Sequence, residues 1–188
     1  SATSAEHVRG EFGDAVDLVL DGGPCPLGIE STIVDLSGPQ PVILRPGHIG
    51  AQQIEDALLA KLGLASGASP RASGTLASHY APRTPLRLVH PDELEAYLRK
   101  EAAGTPAAVL ARRGRPPNSR AALWQVAPAE PADYAHHLYA LLRRLDDAGC
   151  RLIVVEAPPD LPEWTAVRDR LFRAAAAEDA MPQVATGT

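Results

Sequence analysis

The sequence predicts an α/β protein in which two units are joined by a linker. From residue 86 onward, short runs of β-branched residues alternate with longer stretches of helical periodicity, a pattern typical of a largely parallel sheet covered by helices. Residues 63–85 begin with a segment rich in Gly, Ser and Pro, which is typical of linkers. We therefore expect units at 1–62 and 86–178, and a frayed tail at 179–188.

The first unit is predicted to hold two helices and three short strands. Thr3 and Glu6 have the spacing of a capping box, so the first helix should begin near residue 4 and end at Phe12, before Gly13. Apolar runs that end in Gly or Pro turns predict the strands, and apolar residues repeated on one face predict the second helix. These further elements are strands at 17–21, 31–36 and 41–45 and a helix from Ile49 to Leu62. So few elements can fold only as part of a larger sheet.

The second unit has the alternating strands and helices of a complete domain. Strands are predicted at 86–89, 107–111, 121–126 and 151–156. Helices are predicted at 91–102, 134–148 and 164–177. Because each of these helices has 12 or more residues, the strands that they connect are expected to run parallel.

Composition narrows the class of protein. The chain has 188 residues and a formal net charge of −5, which argues against a broad nucleic-acid footprint. Cys25 and Cys150 are far apart and belong to no metal or redox motif, so we expect reduced thiols. No apolar run approaches membrane-spanning length and no signal peptide is evident, which predicts a soluble, cytoplasmic protein without a membrane partner. Since the chain starts at Ser1 without Met, we expect that it was cut from something longer.

Two strands end in groups that could hold a small molecule. Ser31 and Thr32 open one predicted strand, and Arg45 closes the next, just before a Pro-Gly turn. A Ser hydroxyl can bind a carboxylate or an amine, and an Arg at a strand end is a fixed fork for phosphate or carboxylate. Each residue alone also fits a structural role, as a strand-start hydroxyl or a surface Arg on a turn carbonyl. On neighbouring strands they would converge on one ligand.

Other polar residues are less specific. Ser1 precedes a predicted helix N-terminus, where backbone N–H groups attract phosphate. His79 and Tyr80 lie in the linker and could stack on a base, or could pack the linker against a domain. The neighbours His136 and His137 point in different directions on a helix, so we expect surface residues and no metal site. The pair at 146–147 is expected to be solvated, and no P-loop, G-x-G-x-x-G or G-x-S-x-G motif is present.

These residues resemble the threonylcarbamoyl-AMP synthase family, the YrdC-like enzymes, in its long two-domain form. Five motifs occur in the family's order: Ser1-Ala-Thr-Ser-Ala-Glu-His-Val8, Leu20-Asp-Gly-Gly-Pro24, Gly28-Ile-Glu-Ser-Thr-Ile-Val-Asp35, Ile43-Leu-Arg-Pro-Gly47 and Ser78-His-Tyr-Ala-Pro82. The resemblance implies an incomplete YrdC-like twisted-sheet domain, an interdomain linker, and a small three-layer, Rossmann-like α/β domain that includes a Trp164…Arg168-Asp-Arg-Leu171 helix. It spans nearly the whole chain.

The resemblance also implies an activity. The family condenses L-threonine, bicarbonate and ATP to threonylcarbamoyl-AMP and pyrophosphate, and a transferase complex then modifies adenosine 37 of tRNA. Carried over by motif, Ser31 would bind threonine, Ser1 and Arg45 would contact ATP, and Tyr80 would close over the nucleotide. Magnesium would be bound mainly by the phosphates of ATP. Direct tRNA binding is not expected. No catalytic residue is assigned.

The chain departs from the family in one large respect. The Lys/Arg motif and the Ser-x-Asn segment of the family's N-terminal half are missing, which predicts a half-site that is inactive alone. The main alternative is a non-catalytic module of the same origin, in which residues 86–178 bind a protein or RNA. A carbamoyl-transfer maturation factor is disfavoured, because such a protein would need clustered cysteines.

Overall fold

A computed structural model describes residues 1–66, 69–74, 81–100 and 102–176. Within this described part of the chain, no helix is both long enough and apolar enough to cross a membrane. The predicted tail at 179–188 lies outside the described residues, as do His79 and Tyr80 of the linker.

The first unit holds two helices and a small antiparallel sheet. The helices are α1 (Ala5–Phe12) and α2 (Ala51–Leu58), with a 3₁₀ turn at Gly13–Ala15 after α1. Strands β1 (Ile33–Asp35) and β2 (Val42–Arg45) pair with each other. The predictions for the first helix and for these two strands are confirmed to within two residues at each end.

Three details of the first unit were predicted wrongly. The cap of α1 is Ser4, whose side chain accepts from the backbone N–H of His7, and not Thr3. The expected strand at 17–21 does not form: no described strand pairs with it, and Leu18 and Leu20 remain exposed. Helix α2 ends four residues early, because Leu59 turns into the left-handed region.

The side chain of Glu55 explains why the chain folds back after α2. Its carboxylate accepts hydrogen bonds from the backbone N–H of Leu62 at 3.0 Å and from Nζ of Lys61 at 2.7 Å. These bonds hold residues 61 and 62 against the helix that the chain has just left. A local carboxylate thus competes with the helical bonds that periodicity alone would have predicted.

The second unit is a parallel α/β sheet, which confirms the predicted fold class. Its strands are β3 (Leu86–Val89), β4 (Ala107–Ala111), β5 (Leu123–Val126) and β6 (Leu152–Glu156), in the spatial order β3-β6-β4-β5. Its helices are α3 (Leu94–Lys100), α4 (Pro131–Asp146) and α5 (Thr165–Ala176). All three pairings are parallel, and every residue of the inner strand β4 is buried, which accounts for its uninterrupted apolar sequence.

The core of this unit lies on both faces of the sheet. One face packs against α4 and α5 through residues such as Leu138, Leu142 and Leu171. The opposite face packs against α3 through Leu94 and Leu98. The unit therefore has three layers, with helices on both faces of the sheet, as the resemblance implied.

The two units meet where the loop before β1 crosses α4. Gly28 has a φ of +71°, and a Cβ built there would lie 2.1 Å from the backbone oxygen of His136. The next residue, Ile29, packs against the core formed by α4 and α5. Nδ1 of His136 donates to the carbonyl of Pro26 at 2.7 Å, so this histidine joins the units instead of lying free on the surface as predicted.

A glycine pair tests this contact. Gly149 also has a positive φ, of +69°, but a Cβ there would meet nothing within 4 Å. Gly149→Ala should therefore lower the free energy of unfolding only by the cost of the left-handed backbone, about 1 kcal/mol. Gly28→Ala adds a clash with backbone, so we expect a loss of roughly 2 kcal/mol or more in urea denaturation. Equal losses in the two variants would show that the loop is not held against α4.

Candidate functional site

Arg45 and Ser31 are brought together by the β1–β2 pairing. Arg45 is paired with Ile33, and the register shifts at the next position so that Val34 pairs with Ile43. Such a bulge re-aims the side chain beside it. Nε of Arg45 donates to the carbonyl of Ser31 at 3.1 Å, and Nη2 lies 3.4 Å from the Ser31 hydroxyl oxygen. The hydroxyl and the guanidinium therefore lie together, and their joint binding of one ligand stays a prediction.

The Arg45 guanidinium is held from two sides. Its Nη1 donates to the carbonyl of Ser73, in the linker, at 2.9 Å. Arg45 is only 6% exposed, so the alternative of a surface arginine does not hold, although Arg45 does bind backbone carbonyls as that alternative supposed. The linker thus touches the end of β2 through a buried cation.

The turn after β2 packs flat on the start of β1. A Cβ at Gly47 would lie 2.3 Å from the backbone N of Thr32 and 2.7 Å from the carbonyl oxygen of Glu30. The hydroxyl of Thr32 donates to the carbonyl of Ile49 at 2.7 Å. Only glycine permits this approach, and the contact fixes the backbone on both sides of Ser31.

Ser1 joins the same region through a different residue. Its hydroxyl hydrogen-bonds to Oε1 of Glu30, the residue that precedes Ser31. Ser1 therefore lies near the predicted site, with an acidic partner that the sequence pattern did not predict. Tyr80, the fourth predicted site residue, lies outside the described residues.

Glu30 is the functional candidate that sequence reasoning missed, together with Tyr139 of α4 and Arg170 of α5. The Tyr139 hydroxyl donates to Oε2 of Glu30 at 2.8 Å, and Nε of Arg170 donates to the same oxygen at 2.9 Å. Burial raises the pKa of Glu30, but hydrogen bonds from Ser1, Arg170 and Tyr139 outweigh it and lower the pKa to about 2.

A signal for Arg170 does exist in the sequence. Val167, Leu171 and Ala174 form the buried stripe of α5, and helical spacing places Arg170 in the same stripe. An arginine at a core position requires an acidic partner. The identity of that partner, some 140 residues away in the chain, is not encoded in any local pattern.

A cavity of about 790 Å³ opens beside Ser1, between α1 and α4. Its wall includes His7 and Glu11 of α1, Pro82 of the linker and Arg143 of α4. Nη2 of Arg143 donates to Glu11 at 2.7 Å across this space. The cavity thus connects the region of Ser1 with the end of the linker.

Asp146 holds the end of the linker to α4. It accepts backbone N–H bonds from Arg83 at 3.1 Å and Thr84 at 2.8 Å, and a further bond from Nε of Arg83. The prediction that Asp146 is solvated was wrong, since its side chain is 11% exposed, whereas that of Asp147 is 70% exposed.

Among the described residues, no group of three or more His, Cys, Asp and Glu side chains could hold a metal ion. Neither Cys25 nor Cys150 lies in a disulfide with a described residue.

Family models match nearly the whole chain. The model described as "Threonylcarbamoyl-AMP synthase, C-terminal domain" matches residues 49–176. A second model, described as "Telomere recombination", matches residues 1–47. The boundary between the two falls directly after the turn that follows β2.

Individual relatives agree with these models. The threonylcarbamoyl-AMP synthase of Bacillus subtilis is 30% identical over 93% of this chain and 53% of its own length. That of Schizosaccharomyces pombe is 27% identical over 93% of this chain and 49% of its own length. The crystal structure of Pyrococcus abyssi Sua5 complexed with L-threonine superposes with a TM-score of 0.81 at 26% identity, over 93% of this chain and 54% of that one.

The chain spans about half the length of these relatives, with 53% of the B. subtilis protein matched. The matches nonetheless cover both of its units, including the Arg45–Ser31 site and the parallel sheet. The chain belongs to the threonylcarbamoyl-AMP synthase family.

Proposed function

We propose that this chain is the C-terminal part of an enzyme that condenses L-threonine, bicarbonate and ATP to threonylcarbamoyl-AMP and pyrophosphate. Its family supports this proposal, as does the likeness to a Sua5 structure complexed with L-threonine. The single observation that carries it is the placement of the Ser31 hydroxyl beside the buried Arg45 guanidinium.

Arg45 is suited to phosphate. A guanidinium has five N–H donors in a fixed fork, and the described contacts of Arg45 engage Nε, Nη1 and Nη2 once each. Those contacts aim the group without neutralising it, because all of the acceptors are uncharged. A fixed cation of this kind stabilises negative charge that develops on a phosphate.

Ser31 is suited to the amino acid. Its hydroxyl can donate to a carboxylate or accept from an amine, and its backbone is fixed by Arg45 on one side and by the Gly47 turn on the other. In the proposed reaction, a carbamate oxygen on the threonine amine attacks the α-phosphate. A new P–O bond forms, the α–β bridge bond breaks, and pyrophosphate leaves with its electrons. Holding both substrates within one site supplies the proximity that this step needs.

The remaining predicted roles belong to the same proposal. Ser1 would contact ATP from the head of α1, and Tyr80 would close over the nucleotide from the linker. Magnesium would arrive bound to the triphosphate and would supply further neutralisation of its charge. In the proposed pathway the product passes, in the cytoplasm, to a transferase complex that modifies tRNA.

The proposal includes the inactivity of this chain on its own. Mixing it with ATP, magnesium, L-threonine and bicarbonate should give no threonylcarbamoyl-AMP by mass spectrometry. Adding the N-terminal half of a family catalytic domain should restore product, because the missing cations and the Ser-x-Asn segment are then supplied. Product from the chain alone would contradict the half-site argument. No product in any combination would favour the non-catalytic alternative.

Arg45→Ala separates a catalytic from a structural role. In the restored enzyme we expect kcat/KM for ATP to fall by about 100-fold, the typical cost of one preorganised donor at a charged transition state. The free energy of unfolding should fall by only about 1–2 kcal/mol, from the lost bonds to carbonyls. Arg151, which is exposed, supplies the control: Arg151→Ala should change neither quantity. If the fall in kcat/KM, expressed as a free energy, equals the fall in the free energy of unfolding, Arg45 is structural.

A further inference from the structure

The segment that leads into Ser31 is held by the second unit at several successive residues. The carbonyl of Pro26 accepts from His136, Gly28 lies against the backbone of the same residue, and Ile29 packs into the core under α4 and α5. Glu30 completes the series with its bonds to Tyr139 and Arg170. The site residue Ser31 follows directly, so its position depends on this docking.

Both oxygens of the Glu30 carboxylate are engaged by protein groups. One oxygen binds the Ser1 hydroxyl, and the other accepts from both Tyr139 and Arg170. It therefore has the geometry of an anchor and not of a substrate ligand. Glu30 can fix two site residues: Ser1, to which it is hydrogen-bonded, and Ser31, which follows it in the chain.

Arg170 is itself held rigidly. It is completely buried, at 0% exposure, and its Nη1 donates to Asp169 at 2.7 Å. Asp169 in turn accepts from Arg173, one turn further along α5, at 2.8 Å. A chain of paired charges thus runs from α5 into the loop before β1.

Stability alone is a poor reason for such a pair. Taking a carboxylate and a guanidinium out of water costs about as much as their attraction returns, and apolar side chains of similar size often serve as well. The best-attested use of a buried ion pair is to select one arrangement among several. Here the pair selects one position of the loop before β1 relative to α5. That position places Ser31 beside the Arg45 guanidinium.

We propose that Arg170 and Tyr139 are positioning residues for the L-threonine site, acting through Glu30 on Ser31, and that the second unit thereby completes the first. This inference rests on the proposed function. It assigns to the C-terminal unit a role inside the synthase reaction and not only a separate binding role.

Two tyrosines of α4 provide a matched test. Both are buried, but the hydroxyl of Tyr134 has no hydrogen-bond partner among the described residues, whereas that of Tyr139 binds Glu30. In the restored enzyme, Tyr139→Phe should raise KM for L-threonine about tenfold, as expected for loss of one hydrogen bond to a charged group. The value of kcat should change less than the KM, and Tyr134→Phe should change neither.

A second measurement works on this chain alone. Amide hydrogen exchange at Ser31, Thr32 and Ile33 should quicken by about tenfold in Tyr139→Phe and by more in Arg170→Gln, because the charged donor is the stronger of the two. Exchange within β4 should stay unchanged. Arg170→Lys keeps the charge and should recover part of the protection.

The outcomes separate this inference from the proposed function. Unchanged exchange at Ser31, or an equal increase in β4, would overturn the positioning role and leave a merely structural one. An unchanged KM for L-threonine in an active enzyme would overturn it as well. If the wild-type enzyme forms no product, the proposed function fails, and the exchange pattern alone then decides whether Arg170 and Tyr139 position Ser31.

Discussion

The ordering of the first unit depends on its docking against two helices of the second unit, and the half-buried carboxylate of Glu30 is the charged contact of that docking. Among the described residues before the linker, the only buried apolar side chains are Ala5 and Ile54, at 8% and 9% exposure. Two such side chains cannot offset the conformational entropy of ordering some sixty residues. Docking through Glu30 and the loop before it supplies contacts that the first unit cannot make with itself.

The same constraint explains the apolar surface of the first unit. Several large side chains there are strongly exposed, with Leu18, Leu20 and Leu59 at 72–93%. Large apolar side chains that are exposed in this way are candidates for contact with a partner. Since the chain matches about half of its relatives' length, at 53% of the B. subtilis protein, the proposed partner is the other half of the catalytic domain.

The sequence predicted well whatever depends on local pattern. The parallel sheet of the second unit follows from apolar runs such as Ala107–Ala111, and the pairing of Ser31 with Arg45 follows from two adjacent strands with polar ends. The sequence did not predict features that depend on a contact with a residue distant in the chain. The segment at 17–21 has strand composition but no described strand beside it, and Glu30 looks like an ordinary loop residue until Arg170 is placed next to it.

The most direct test of this account is a double-mutant cycle between Glu30→Gln and Arg170→Gln, measured by the exchange free energies of the β1 amides. If the two side chains act as one contact, the double variant should lose little more protection than either single variant, with a coupling energy of about 1.5–3 kcal/mol. If the two losses simply add, the first unit is ordered by other contacts, and the central role of Glu30 is contradicted.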